Sequence, residues 1–234
     1  MPGEELAPRR RGPHPFALAL IVVVAAVLIG TAGRLAGGTQ LLDLAGPLAE
    51  PAGKLRPWAV ALGAPWLAVA WAIGALARRP APAVAAGALV LAGGTWAWYA
   101  LTVWTLGRRG LAYAMPVALW WTVAAVAAGA AFGLAGALWR SSPVGWARAL
   151  GVAVLAGALI GEAMLLQFLW DGRAARVVLT AEVLAGVLAP ALLLRRARDL
   201  LPLALVLTAV IAVAAAGAEH VVREALRDVG WGGR

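Results

Sequence analysis

The 234-residue chain contains no cysteine, which excludes a disulfide scaffold and leaves the redox compartment unreadable. It has no asparagine, one lysine (Lys54), two glutamines (Gln40, Gln167), two serines (Ser141, Ser142) and two histidines (His14, His220). Two distant histidines cannot build a metal centre. The four aspartates, Asp43, Asp171, Asp199 and Asp228, are too scattered to hold magnesium against a prenyl diphosphate. Ser141 and Ser142 lie in a short turn without a histidine partner, against a serine hydrolase. No phosphate loop or dinucleotide fingerprint is present. Charged residues make up 13% of the chain, about half the share of a soluble domain.

Apolar residues fill the space that these absences leave. They form 63% of the chain, and mean hydropathy is +0.85. A soluble chain of this length cannot hide so much apolar surface. The sequence therefore reads as a multi-pass protein of the bilayer, placed in the plasma membrane of a bacterium. The fold class is all-α, a polytopic bundle of seven transmembrane helices at 15–33, 57–77, 82–106, 111–139, 147–170, 174–194 and 200–218. The runs do not alternate with period two, so they are not barrel strands. Gly129/Gly133 and Gly157/Gly161 offer small residues at four-residue spacing for close helix approach.

Residues 1–14 read as a disordered tail, 15–221 as one transmembrane domain and 222–234 as a C-terminal tail. The first run lacks a clear small-residue cleavage site and reads as a span, not a removed signal. Segment 34–56 is too short to span and too apolar for a solvated loop. It reads as an interfacial connector between helices, a reading favoured over a lid. The net charge of +9 suits contact with anionic lipid. The basic residues are scattered between spans, so no nucleic-acid partner is expected. The tight arginine clusters at alternate breaks place the N terminus inside and the C terminus outside.

Two carboxylates fall within the spans, Glu162 and Glu182. Acids in lipid are costly and are functional candidates by default. Each lies ten residues from Gly172 in the turn joining spans five and six. In an antiparallel hairpin both sit about 15 Å below the turn, at one depth. Trp66, Trp96, Trp98, Trp120 and Trp121, with Tyr99, count to a similar depth from the ends of their spans, away from the interfaces that tryptophan ordinarily marks. One layer of acids and aromatics around an outward-opening cavity is the resulting expectation. The plain alternative is that the acids are structural and the tryptophans are packing.

Carboxylic acids in apolar cavities hold their proton at neutral pH, the more so in pairs. Such an acid can protonate an olefin or epoxide, and indole faces stabilise the cation formed. The leading expectation is a metal-independent membrane enzyme that cyclises an apolar, isoprenoid substrate. Glu162 and Glu182 would be catalytic, and Trp66, Trp96, Trp98, Tyr99, Trp120 and Trp121 would bind substrate, with no cofactor. The alternatives are a small-molecule or proton-coupled transporter and a structural subunit of a membrane complex. The scarcity of serine, lysine and asparagine disfavours transport of a hydrophilic solute.

The stretch GPLAEPAG…PWLAVAWAIGALARR…AAGALVLAGGTWAWYA, with GALIGEAM further on, resembles an uncharacterised family of small multi-pass proteins of high-GC bacteria. Seven spans with two intramembrane acids are similar in architecture to the membrane-bound terpene cyclases. Their Trp-Glu motifs do not align, because Gly161 precedes Glu162 and Ala181 precedes Glu182. Asp171-Gly172-Arg173-Ala174-Ala175-Arg176 resembles the DGxxAR core of the CDP-alcohol phosphotransferases. The further aspartates of that family are missing, so the match reads as coincidence.

Overall fold

A computed structural model describes residues 13–37, 62–169 and 173–228. No strand occurs among these residues. Seven helices follow one another: α1 (Pro15–Gly37), α2 (Ala64–Ala77), α3 (Pro80–Trp104), α4 (Ala114–Ser141), α5 (Gly145–Leu169), α6 (Arg173–Leu193) and α7 (Leu201–Asp228). One 3₁₀ turn, Arg198–Leu200, precedes α7.

The helical stretch Pro80–Ser141 that carries α3 and α4 is not one rod. A Cβ on Gly87 would stand 2.1 Å from the carbonyl oxygen of Gly129, and one on Gly133 would stand 2.2 Å from that of Ala83. A straight helix would separate Gly87 from Gly129 by about 60 Å. The chain therefore reverses between the two spans, and the small residues let their backbones touch.

Among the described residues six helices, all but α2, are long and apolar enough to cross a membrane. α2 has 14 residues and falls short of the ~20 that a hydrocarbon core needs. The second predicted run, 57–77, thus corresponds to a shorter helix that begins only at Ala64. α7 runs on to Asp228, so the boundary expected at residue 221 falls inside a helix. Most of the expected N-terminal tail, most of segment 34–56 and the last six residues lie outside the described residues.

The close approaches also fix helix directions. Gly93 meets Ala26, and Gly30 meets Gly94 and Trp98, so α1 runs parallel to α3. Gly74 meets Gly133 and Arg78 meets Ser141, so α2 runs parallel to α4. Gly151 rests on Ala135 and Trp139, setting α5 antiparallel to α4. Gly186 rests on Ala156 and Ile160, setting α6 antiparallel to α5. Gly157 and Gly161 receive Ile211 and Ala212, so α7 runs parallel to α5. The seven helices alternate, and the start of α1 and the end of α7 lie at opposite ends of the bundle. One end carries Arg78, Arg79, Arg140, Arg148, Arg195, Arg196 and Arg198 and is called the arginine end below.

Specific polar contacts lock the centre. Trp71 stacks on Trp139 with ring centroids 4.6 Å apart. Its indole N–H donates to the Gly151 carbonyl over 2.8 Å. α2 ends where Arg78 takes a left-handed conformation, φ 59°, and returns its N–H to the Gly74 carbonyl. The Ser141 hydroxyl then donates to the Arg78 carbonyl over 2.6 Å.

Candidate functional site

The start of α2 poses the question that the site answers. The first turn of any helix leaves backbone N–H groups without intrahelical acceptors. Here Pro65 removes one of them, and Trp66 and Leu67 donate to the Gly63 carbonyl at 2.9 and 3.1 Å. The N–H groups of Gly63 and Ala64 remain. Both are taken by one carboxylate from α5: Gly63 donates to Oε1 of Glu162 over 2.5 Å and Ala64 to its Oε2 over 2.6 Å. Glu162 is 3% exposed. Ionised acceptors bind such donors about twice as strongly as neutral ones, and the positive end of the α2 dipole adds to the attraction.

Glu182 approaches from α6. The contacts of Gly186 with Ala156 and Ile160 set the register that places Glu182 opposite Glu162, and the two side chains lie within interaction range. Glu182 is 5% exposed, and among the described residues no N–H or O–H donor reaches its carboxyl oxygens, which lie within hydrogen-bond range of the Glu162 carboxyl. α7 supplies the positive charge. Arg223 binds Glu219 through Nε at 2.7 Å and Nη2 at 2.5 Å, and the same Nη2 stands 3.9 Å from Oε1 of Glu162. The side chain of Arg223 is buried, and that of Glu219 keeps 24% exposure. The centre thus holds three carboxyl groups, one guanidinium and one helix N terminus. Among the described residues no group of three or more histidine, cysteine, aspartate or glutamate side chains is arranged to hold a metal ion.

The aromatic residues do not join this centre as one layer. Glu162 lies opposite the part of α4 near Val126, because Gly151 on the same helix rests on Ala135 and Trp139. Trp120 and Trp121 sit more than one turn nearer the end that bears the α7 C terminus. Val126 in turn neighbours the part of α3 near Val90, since Gly129 faces Gly87. That puts Trp96 and Trp98 about 9–12 Å further toward the same end. Trp66 begins in the capped first turn but turns its ring toward Gly33, Gly94 and Trp98, with the Trp66–Trp98 centroids 6.1 Å apart. Trp120 is 51% exposed beside Pro116, Leu119 and Val123 in a shallow groove on the outer face of α4. Trp96 is also exposed, and Tyr99 and Trp121 are half-buried. The single aromatic and acidic layer expected from depth counting is corrected accordingly. The threonines near it spend their hydroxyls locally: Thr95 and Thr122 donate to carbonyls four residues back.

Four participants were not foreseen: Gly63, Ala64, Glu219 and Arg223. The Ala64-Pro65 pair carried a signal, since proline favours the first turn of a helix. The four-residue spacing of Glu219 and Arg223 on an apolar run carried another. Neither curated proteins nor solved structures offer a match to this chain. A family model described as a family of unknown function, DUF6518, matches residues 9–224, and the chain belongs to that family.

Proposed function

We propose that the chain is a multi-pass membrane protein and that the Glu162–Glu182 pair is the proton-binding centre of a carrier for a lipid-soluble molecule. The observation that supports this reading best is the buried Glu182, whose hydrogen-bonding neighbour is a carboxyl group already engaged by two peptide N–H groups. An ionised carboxylate in that position faces a second carboxylate and is costly in an apolar bundle. A bound proton removes the cost, and losing it must be coupled to some rearrangement. Paired acids, a lone guanidinium and a half-length helix ending inside the bundle are features that transporters use at their ion sites. The scarcity of polar side chains favours an apolar or amphipathic cargo. Read along the sequence, the two sides receive equal numbers of basic residues, and the tight clusters Arg78-Arg79 and Arg195-Arg196 favour the arginine end as the cytoplasmic one, with the pair then in the outer half of a bacterial plasma membrane.

Proton-initiated cyclisation of an isoprenoid draws on the same acids and is the rival reading. It finds less support, because the acids face peptide N–H groups and Arg223, while the indoles lie elsewhere. Purified protein in vesicles decides between them. A panel of lipid-soluble cations and neutral amphiphiles is applied to supported proteoliposomes under a proton gradient. Currents that depend on both gradient and cargo, and that fall at least tenfold in Glu182→Gln, are expected. Absence of any proton-dependent current, together with turnover of a prenylated substrate by the same preparation, overturns the carrier reading in favour of the enzyme.

A further inference from the structure

We infer that α2 is a latch worked by the proton: ionised Glu162 fastens its N terminus, and protonation of Glu162 releases it. The inference rests on the proton-binding reading of the pair and names the element that this proton moves. The two oxygens of Glu162 each accept from a different peptide N–H. Only the ionised carboxylate has two oxygens that both act purely as acceptors; a carboxylic acid presents one of them as a donor. Adding one proton therefore turns one of the two charge-assisted bonds into a weak neutral one at the hydroxyl oxygen, and the Gly63 carbonyl, already used by Trp66 and Leu67, offers no substitute.

The proton source adjoins the latch. Transfer breaks the O–H bond on Glu182 and forms one on Glu162, while the negative charge passes to Glu182; no other reactant is consumed. Among the described residues the charged groups that face Glu162 come from two helices. Glu182 comes from α6, and Glu219 and Arg223 come from α7. The N terminus of α2 itself completes the set. α4 contributes none at this depth, since its only charged residue is Arg140 near its far end. Arg223, 3.9 Å from Glu162 and in contact with Glu219, is placed to follow the charge.

The mechanics of α2 suit a hinged piece. Its second half is clamped by backbone contact: a Cβ on Gly74 would stand 1.9 Å from the Gly133 carbonyl oxygen, and Gly136 meets Trp71 equally closely. Its first turn is held by Glu162, by the rings and chains of Trp66 and Leu67 on the α1–α3 core, and by Leu62 just before it among Ala163, Leu166 and Leu179, side-chain contacts that yield more readily than backbone ones. A Cβ on Gly63 would stand 3.4 Å from Oε1 of Glu162, ordinary contact and no clamp. Release at the N terminus thus frees one end of a helix whose other end stays fixed.

The sequence has no cysteine, so a single introduced cysteine carries a spin label uniquely. Ala68→Cys reports on the first half of α2 and Leu76→Cys on the clamped half. The full chain in lipid is taken from mildly alkaline to mildly acidic pH. The Ala68 label is expected to lose its immobilised component on acidification, and the Leu76 label to keep it. With Glu162→Gln added, the Ala68 label is expected to be mobile at both pH values. An Ala68 label that stays immobile throughout overturns the latch, as does one that responds equally in the Glu162→Gln protein. If that variant does not fold, the titration of otherwise unaltered protein decides alone. A pH response without proton-coupled current keeps the latch and removes the carrier; current without a response does the reverse.

Discussion

Glu162 holds the Gly63 and Ala64 peptide N–H groups at 2.5 and 2.6 Å from a helix ninety-eight or more residues away in sequence. One side chain therefore caps α2 from outside, where most helices use a neighbour in sequence. Glu162→Gln keeps one acceptor and sets an amide N–H₂ against a peptide N–H. Hydrogen bonds to charged groups contribute about 1.5–3 kcal/mol each, so a loss of about 2–4 kcal/mol is expected. Reversible unfolding in mixed micelles measures it, and a loss below half a kilocalorie counts against the cap.

Arg223 and its acids form a second test. Removing one partner of a buried ion pair costs about 3–5 kcal/mol, and replacing both by apolar residues costs far less. Arg223→Met is therefore expected to destabilise strongly, and Arg223→Met with Glu219→Leu to recover part of the loss. The partial exposure of Glu219 moves the single-variant figure toward the lower limit. A double-mutant cycle reads the coupling directly.

The tryptophans should separate into two groups. Trp71→Phe removes the indole N–H from the Gly151 carbonyl and shrinks one ring of a stacked pair, at an expected cost of about 0.5–1.5 kcal/mol for the lost hydrogen bond alone. Trp120→Phe alters a half-exposed ring on the outer face of α4 and should stay within about 0.5 kcal/mol. Equal effects in a thermal-shift series would count against this arrangement.

Small residues carry the helix contacts. Gly133→Val must push against the Ala83 carbonyl oxygen at 2.2 Å, so assembly of the α2–α3–α4 unit should fail and the folded fraction in size-exclusion profiles should collapse. Gly217→Ala meets nothing within 4 Å and serves as the silent comparison.

Sequence reasoning reached some of this arrangement through physics that survives without coordinates. Equal ten-residue offsets from Gly172 suffice to pair Glu162 with Glu182, because hairpin arms rise at the same 1.5 Å per residue. The Gly129/Gly133 and Gly157/Gly161 spacings anticipated surfaces that do meet other helices. The tryptophan layer was misplaced because its depths were counted from the ends of apolar runs, and run ends do not mark common heights when helices differ in length. The α2 cap stayed hidden for the same reason: hydropathy continues from Pro57, so the break before Ala64 leaves no mark in the apolar pattern. Arg223 was assigned to a tail because charge ends a hydrophobic run, although α7 itself continues.

On the carrier reading proposed above, the place of Glu162 along α5 would couple proton binding to membrane voltage. Glu162 lies seven residues before the end of α5, about 10 Å along the axis, and so roughly a third of the way through a ~30 Å hydrocarbon core. A charge crossing the whole membrane exchanges about 2.3 kcal/mol with each 100 mV of potential. A proton reaching the pair from the end opposite the arginines traverses about a third of that field, worth about 0.8 kcal/mol per 100 mV. If the chain spans a membrane as proposed, occupancy of the centre would depend on voltage as well as on acidity, and the proposed latch would respond to a change in membrane voltage alone.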